Sequence, residues 1–203
     1  GVMAGVFVGP PIGAFMRWLG IIIMNATEMA PVTMGILVSV VMGMVLTAPI
    51  SSAALAIMLD LGGLAAGAAT VGCATQMIGF AVASFRENGV GGLISQGLGT
   101  SMLQVPNIVK NPLIWIPPTL ASAILGPLAT TVLPMHNSPI GAGMGTSGLV
   151  GQIATIEVMG LSGSVLMKIA LLHFILPAVV TLVISEFMRK KGWIKSGDMK
   201  LDV

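Results

Sequence analysis

HNSPIGAGMGTSGLVGQIATIE, residues 136–157, is the stretch on which the reading of this chain turns. It gathers His136, Asn137, Ser138, Thr146, Gln152, Thr155 and Glu157 around five glycines, Gly141, Gly143, Gly145, Gly148 and Gly151. On either side lie apolar runs that read as membrane spans. Backbone this rich in glycine makes a poor helix. Bare peptide groups have no partner in lipid, so irregular chain at membrane depth must lie inside protein or beside a water-filled cavity. A polar, glycine-rich interruption between spans is the usual material of a solute site.

The composition agrees. Of 203 residues, 55% are hydrophobic and only 8% charged, and the mean hydropathy is +1.01. A soluble domain carries roughly 25% charged residues, so this is an integral membrane protein. Of the 16 charged residues (9 basic plus 7 acidic), 7 fall in positions 189–203. The net charge of +2 therefore belongs to that tail and gives no basic face for nucleic acid. Cys73 is the only cysteine, which excludes an internal disulfide and a cysteine metal cluster. No catalytic residue, metal or cofactor is expected. The chain opens on Gly1 inside an apolar run and reads as the later part of a longer protein. Residues 1–188 read as a single transmembrane domain and 189–203 as a basic cytoplasmic tail.

Working outward, residues 1–24 read as a first span broken at Gly9-Pro10-Pro11, because proline removes a helix donor. Asn25, Thr27 and Glu28 then form a short polar connection, with Asn25 or Thr27 capping the next helix. Residues 31–50 are the cleanest span, about 20 residues at 1.5 Å each across a core of about 30 Å. Residues 51–61 read as a short interfacial helix. Asp60 caps a small-residue span over 62–85, whose Gly63 and Gly67 form a GxxxG pair suited to close helix approach. The segment 90–118 is too polar for a span and too apolar for a solvated loop, and reads as a re-entrant hairpin. Residues 119–135 form a span interrupted at Gly126-Pro127, and 164–187 form the last. The fold class is an all-α polytopic bundle of about five spans with one or two re-entrant glycine-rich hairpins. The basic tail places the C-terminus in the cytoplasm by the positive-inside rule. Counting back puts 86–118 and 24–30 inside and 51–61 outside.

The candidate solute ligands are His136, Asn137, Ser138, Gly141, Gly143, Thr146, Gln152 and Glu157, with Asn25 and Glu28 from the first segment lining the same cavity. Asn, Gln, His and Glu both offer and accept hydrogen bonds, which suits hydroxyl-rich ligands. Against this stand plainer readings, in which His136 lies in water and Glu157 pairs with Lys168. GAGMGTSG at 141–148 lacks the Gly-Lys-Ser/Thr of a nucleotide loop. Its glycines read instead as a tight hairpin, with Gly141 and Gly145 packed on a neighbour. His173, alone in its span, reads as a packing residue. Pro11-Ile12-Gly13-Ala14 recurs as Pro139-Ile140-Gly141-Ala142, a weak internal echo.

Five longer strings are distinctive: TAPISSAALAIML (47–59), LAAGAATVGCATQMIGFAVASFRENG (64–89), QGLGTSMLQVPNIVKNP (96–112), IWIPPTLASAILGPLATT (114–131) and NSPIGAGMGTSGLVGQ (137–152). Together they resemble a phosphotransferase-system enzyme IIC-like family that includes regulators of the perfringolysin type. The resemblance implies a multi-pass protein of the bacterial inner membrane. It also implies a permease that binds and moves a sugar-like solute, which separate cytoplasmic IIB and IIA proteins phosphorylate from phosphoenolpyruvate. A homodimer is a further family expectation. Two other functions fit the residues: a membrane sensor or regulator derived from such a permease, and an ion-coupled secondary transporter using Glu157 or Asp60.

Overall fold

The structure, a computed structural model, describes the backbone of residues 2–201 and the side chains of residues 11–201. Its elements are the helices α1 (Val2–Met29), α2 (Pro31–Thr47), α3 (Ser52–Met58), α4 (Gly63–Ala83), α5 (Phe85–Ile94), α6 (Val105–Lys110), α7 (Ile116–Pro127), α8 (Pro139–Ala142), α9 (Val150–Met159), α10 (Gly163–Ile169) and α11 (Leu176–Lys190). Short π and 3₁₀ turns join several of them. Apart from one backbone bridge between Gly63 and Asn137, no strand pairing occurs among the described residues. The protein is an all-α membrane bundle.

The bundle is organised around α4. Of its apolar window, 89% is buried, against 28% for the helix Gly163–Lys190, so α4 is the axis and the last helix faces lipid. Small residues make this arrangement fit. A methyl group added at Gly72 would overlap the backbone of Ser39 on α2, and one at Gly67 the backbone of Met135. At Gly79 it would meet Thr181 of α11 and Pro118 of α7. Each neighbour thus reaches α4 at a glycine, the way helices gain dispersion contact where lipid provides no hydrophobic drive.

Three helical stretches among the described residues are long and apolar enough to cross a membrane: Gly63–Ala83, Pro112–Val132 and Gly163–Lys190. Helix α1, with 28 residues, adds a further long rod beside α2 and α4. It does not break at Gly9-Pro10-Pro11, as the sequence suggests; its backbone stays helical to Met29. Proline's fixed φ suits a helix, and lost donors are tolerated in membrane helices. Asn25, Thr27 and Glu28 consequently lie within α1, not in a connection. Neither caps α2, whose N-cap is Ala30.

The larger correction concerns α2 and α3. Pro31 at the start of α2 accepts a hydrogen bond from Thr130 Oγ1 at 2.6 Å, so it lies level with the end of the Pro112–Val132 helix. Met24 sits beside Gly62, and Asn137 beside Gly63, at that same end. Thr47, at the other end of α2, bonds to Gln76, about 20 Å down α4 by helix rise. Helix α3 then climbs back until Leu59 packs against Gly20. The pair α2–α3 is a re-entrant hairpin, and residues 24–31 and 59–63 share one end of the bundle. The expected placement of 24–30 and 51–61 on opposite sides is overturned, since Met24 lies against Gly62. Asp60 is not the cap of α4 either; it adopts φ 50° in the connecting turn, and Gly62 is the cap.

The other end carries Arg86, Lys110, Arg189, Lys190, Lys191, Lys195 and Lys200 and is called the basic end below; the first is the far end. Residues 189–201 do not trail away as a tail. Ile194, Met199 and Leu201 are buried, the first two in a cluster with Phe80, Ile108 and Ile114. Glu87 accepts from Arg189 at 3.2 Å and from the Gly197 amide at 2.9 Å, fastening the strap to the start of α5, and Arg189 also donates to the Ala83 carbonyl at the end of α4 at 3.1 Å. Residues 202 and 203 lie outside the described residues.

Candidate functional site

The glycine-rich stretch enters from the far end, reaches down α4 and returns as α9. Asn137 starts the descent. Its Nδ2 donates to Thr70 Oγ1 (2.7 Å), the Gly151 carbonyl (3.0 Å) and Thr155 Oγ1 (3.1 Å), and its Oδ1 accepts from the Ser138 amide (2.8 Å). One buried amide thereby ties the descending limb to α4 and to the returning helix. Gly145, with φ 54°, sits so close to Cys73 and Ala74 that a side chain would overlap them. Leu149 also takes positive φ, at 60°. Such a conformation is uncommon for leucine and turns the chain into α9. At the lowest point Thr146 Oγ1 donates to the Gly97 carbonyl at 2.5 Å and contacts Met77. Met77 is about 21 Å along α4 from Gly63, past the middle of a core about 30 Å thick.

Gly97 belongs to a second hairpin, which enters from the basic end. It lies in the π turn Ser95–Gly99, followed by a short 3₁₀ turn at Ser101–Gln104. π turns widen a helix locally and are frequent at functional sites. Thr47 Oγ1 and Ser101 Oγ lie 2.8 Å apart, so the α2–α3 tip meets the same point. Ser52 Oγ donates to the Gly143 carbonyl at 2.6 Å. Three re-entrant tips, two from the far end and one from the basic end, converge beside Met77. Between them lies a cavity of about 190 Å³, lined in its polar part by Ser51, Ser52, Thr100, Ser147 and the backbone of Gly99 and Gly143.

The predicted site residues separate on this frame. Gly143 lines the cavity, and Thr146 joins the two hairpins just beside it. Asn137 and Gly141 sit higher, in the Thr70 cluster. Gln152 is buried and its Nε2 lies 2.9 Å from His173 Nδ1. His136 and Glu157 are exposed at the far end, and Ser138 is half-buried there. Lys168 bonds to the Pro134 carbonyl, not to Glu157. Asn25 and Glu28 are exposed on α1. Reading the sequence missed Ser51, Ser52, Thr100 and Ser147. A signal existed for the first pair: Ala48-Pro49-Ile50-Ser51-Ser52 interrupts an apolar run, and such interruptions belong beside cavities.

A family profile described as "Phosphotransferase system, EIIC" matches residues 1–201. The chain belongs to that family. This EIIC protein is therefore a permease-type membrane component of the phosphotransferase system. No curated protein and no solved structure matches the chain.

Proposed function

We propose that this EIIC protein binds a sugar-like solute between its three re-entrant tips and passes it across the bacterial inner membrane, for phosphorylation by cytoplasmic IIB and IIA partners. The basic end is then cytoplasmic, as an excess of Lys and Arg requires. One observation carries the reading: irregular backbone from both ends meets past midplane around a cavity whose apolar lining is interrupted by hydroxyls and peptide groups, the arrangement that alternating access needs. The hydroxyls of Ser51, Ser52, Thr100 and Ser147 and the peptide groups of Gly99 and Gly143 both donate and accept, matching a polyhydroxylated ligand. Gly143 and Thr146 touch or border the solute. Asn137, Gly141 and Gln152 hold the hairpin in shape. His136, Ser138, Glu157, Asn25 and Glu28 lie outside the cavity, toward the far end.

The test is uptake of a labelled sugar panel into vesicles, with and without phosphoenolpyruvate and the soluble phosphotransferase proteins. Ser147→Leu fills the cavity and should cut uptake by at least about 10-fold, since a lost or blocked polar contact costs more than 1.4 kcal/mol. His136→Ala and Glu157→Ala should leave it within a factor of about 2. Uptake lost in His136→Ala but retained in Ser147→Leu would move the site to the far end. Sugar binding without uptake would make the protein a sensor.

A further inference from the structure

The cavity at the hairpin tips has a neighbour. On the basic side lies a second, larger space of about 410 Å³, between the inner hairpin and the C-terminal strap, lined by Thr100, Met102, Leu103, Pro106, Asn107 and Lys200 among others. Thr100 and Met102 line both spaces. The segment Gly99–Met102 thus stands between the cavity at the hairpin tips and a vestibule at the basic end. Its hold on the far-end hairpin includes Thr146 Oγ1 on the Gly97 carbonyl.

What fixes this segment from behind is a row of buried amides. Gln96, on the π turn, donates to Ser84 Oγ at 2.9 Å. Gln104 donates to Gln96 Oε1 at 2.9 Å, and Asn107 to Gln104 Oε1 at 2.9 Å. The row ends on the strap's backbone: Gln104 Nε2 also donates to the Met199 carbonyl at 3.0 Å, and Asn107 Nδ2 to the Lys200 carbonyl at 2.9 Å. Asn88 grips the same strap, donating to Met199 O and accepting from the Leu201 amide, both at 2.8 Å. Gln96 and Gln104 are fully buried. A buried amide that loses its partner is costly, so the members move together or not at all.

We infer that Gly99–Met102 is the inner gate of the solute cavity, and that Gln104 is its positioning residue, coupling the gate to the C-terminal strap 193–201. Lifting the strap from Asn88, Gln104 and Asn107 frees the amide row, lets the π turn swing away from Thr146, and joins the cavity to the vestibule. The route for solute between cavity and cytoplasm then runs past Thr100 and Met102. A ligand or partner that displaces the strap opens the gate; one that clamps the strap closes it. This assignment rests on the cavity being the solute site.

The test uses the full chain carrying Cys73→Ala and Ser147→Cys, in oriented vesicles, with a membrane-impermeant maleimide added from one end at a time. No solute is present, so the result stands apart from the uptake assay. Gln104→Leu, which keeps volume but removes both donor and acceptor, should raise labelling from the basic end by at least about 10-fold, because three hydrogen bonds are lost. Asn88→Ala, which loosens only the strap, should raise it in the same direction. Labelling from the far end should not change. Should Gln104→Leu fail to fold, Asn88→Ala decides alone. Unchanged labelling from the basic end, or an equal rise from both ends, overturns the gate. If labelling behaves as expected while Ser147→Leu still takes up sugar, the coupling of Gly99–Met102 to the strap stands, but the solute assignment falls and with it the role of that segment as a solute gate.

Discussion

Asn137 shows how much one side chain sets at this site. Its amide nitrogen, with two protons to give, lies within 3.1 Å of three acceptors, on α4, at Gly151 and on α9. Asn137→Ala would leave Thr70, Thr155 and the Gly151 carbonyl with fewer partners in a dry interior. Polar contacts inside membrane bundles average about 0.6 kcal/mol each, and abandoned buried groups cost about 1–3 kcal/mol. The variant should therefore lose about 2–3 kcal/mol, read as a lower midpoint of thermal unfolding in detergent. His136→Ala beside it should shift that midpoint by less than about 0.5 kcal/mol, because its side chain is exposed. Equal losses would mean that the two residues share one environment. Sequence could rank the whole stretch as polar and irregular, since glycines and amides are visible there. It could not tell Asn137 from His136. That difference depends on Thr70 and Thr155, and neighbouring positions in an irregular segment carry no periodicity to sort inward from outward.

At the scale of elements, the glycines of α4 were legible as a small face, but its partners were not. Gly63 and Gly67 read as one helix-packing pair; a side chain at Gly67 would overlap Met135, whereas one at Gly63, with φ 60°, would point into open space. A close crossing of two long helices lies instead at Gly72, against Ser39 of α2, where Ser39 Oγ also donates to the Ser122 carbonyl of α7 at 2.8 Å. Gly72→Ala should push α2 and α4 apart and cost about 1–3 kcal/mol, as overpacking does. Gly91→Ala, on α5 with nothing near its Cα, should be neutral or slightly stabilising by up to about 1 kcal/mol. Unfolding in graded denaturant separates the two, and a tolerated Gly72→Ala would show that α2 moves freely on α4. The amide row of the basic end illustrates the opposite limit. Gln96, Gln104 and Asn107 were visible as polar residues in an apolar hairpin. Their partners Met199 and Lys200 lie more than 90 residues away and contribute only backbone carbonyls, which no side-chain pattern announces. A run of lysines that reads locally as a basic cytoplasmic tail is therefore a strap over the basic end.

The whole molecule is where local reading failed most instructively. A run of apolar residues of the right length is normally a span, and 31–50 has both properties. What overrides it is tertiary: Thr47 stops at Gln76 and Ser101, inside the bundle, and α3 returns to the end from which α2 began. A segment can be apolar enough to cross and still not cross when its tip is needed beside a cavity. The consequence is a topology with a direct test. In a Cys73→Ala background, single cysteines placed by Met29→Cys, Asp60→Cys and Lys195→Cys all stand at exposed positions. An impermeant thiol reagent applied to right-side-out and to inverted vesicles should label M29C and D60C from the same face, and K195C from the other. If α2 crossed the bilayer fully, M29C and D60C would label from opposite faces. The α2–α3 tip would then leave the protein interior, and Ser51 and Ser52 would no longer line the cavity. The same three measurements therefore decide the topology and whether three re-entrant tips meet at one place.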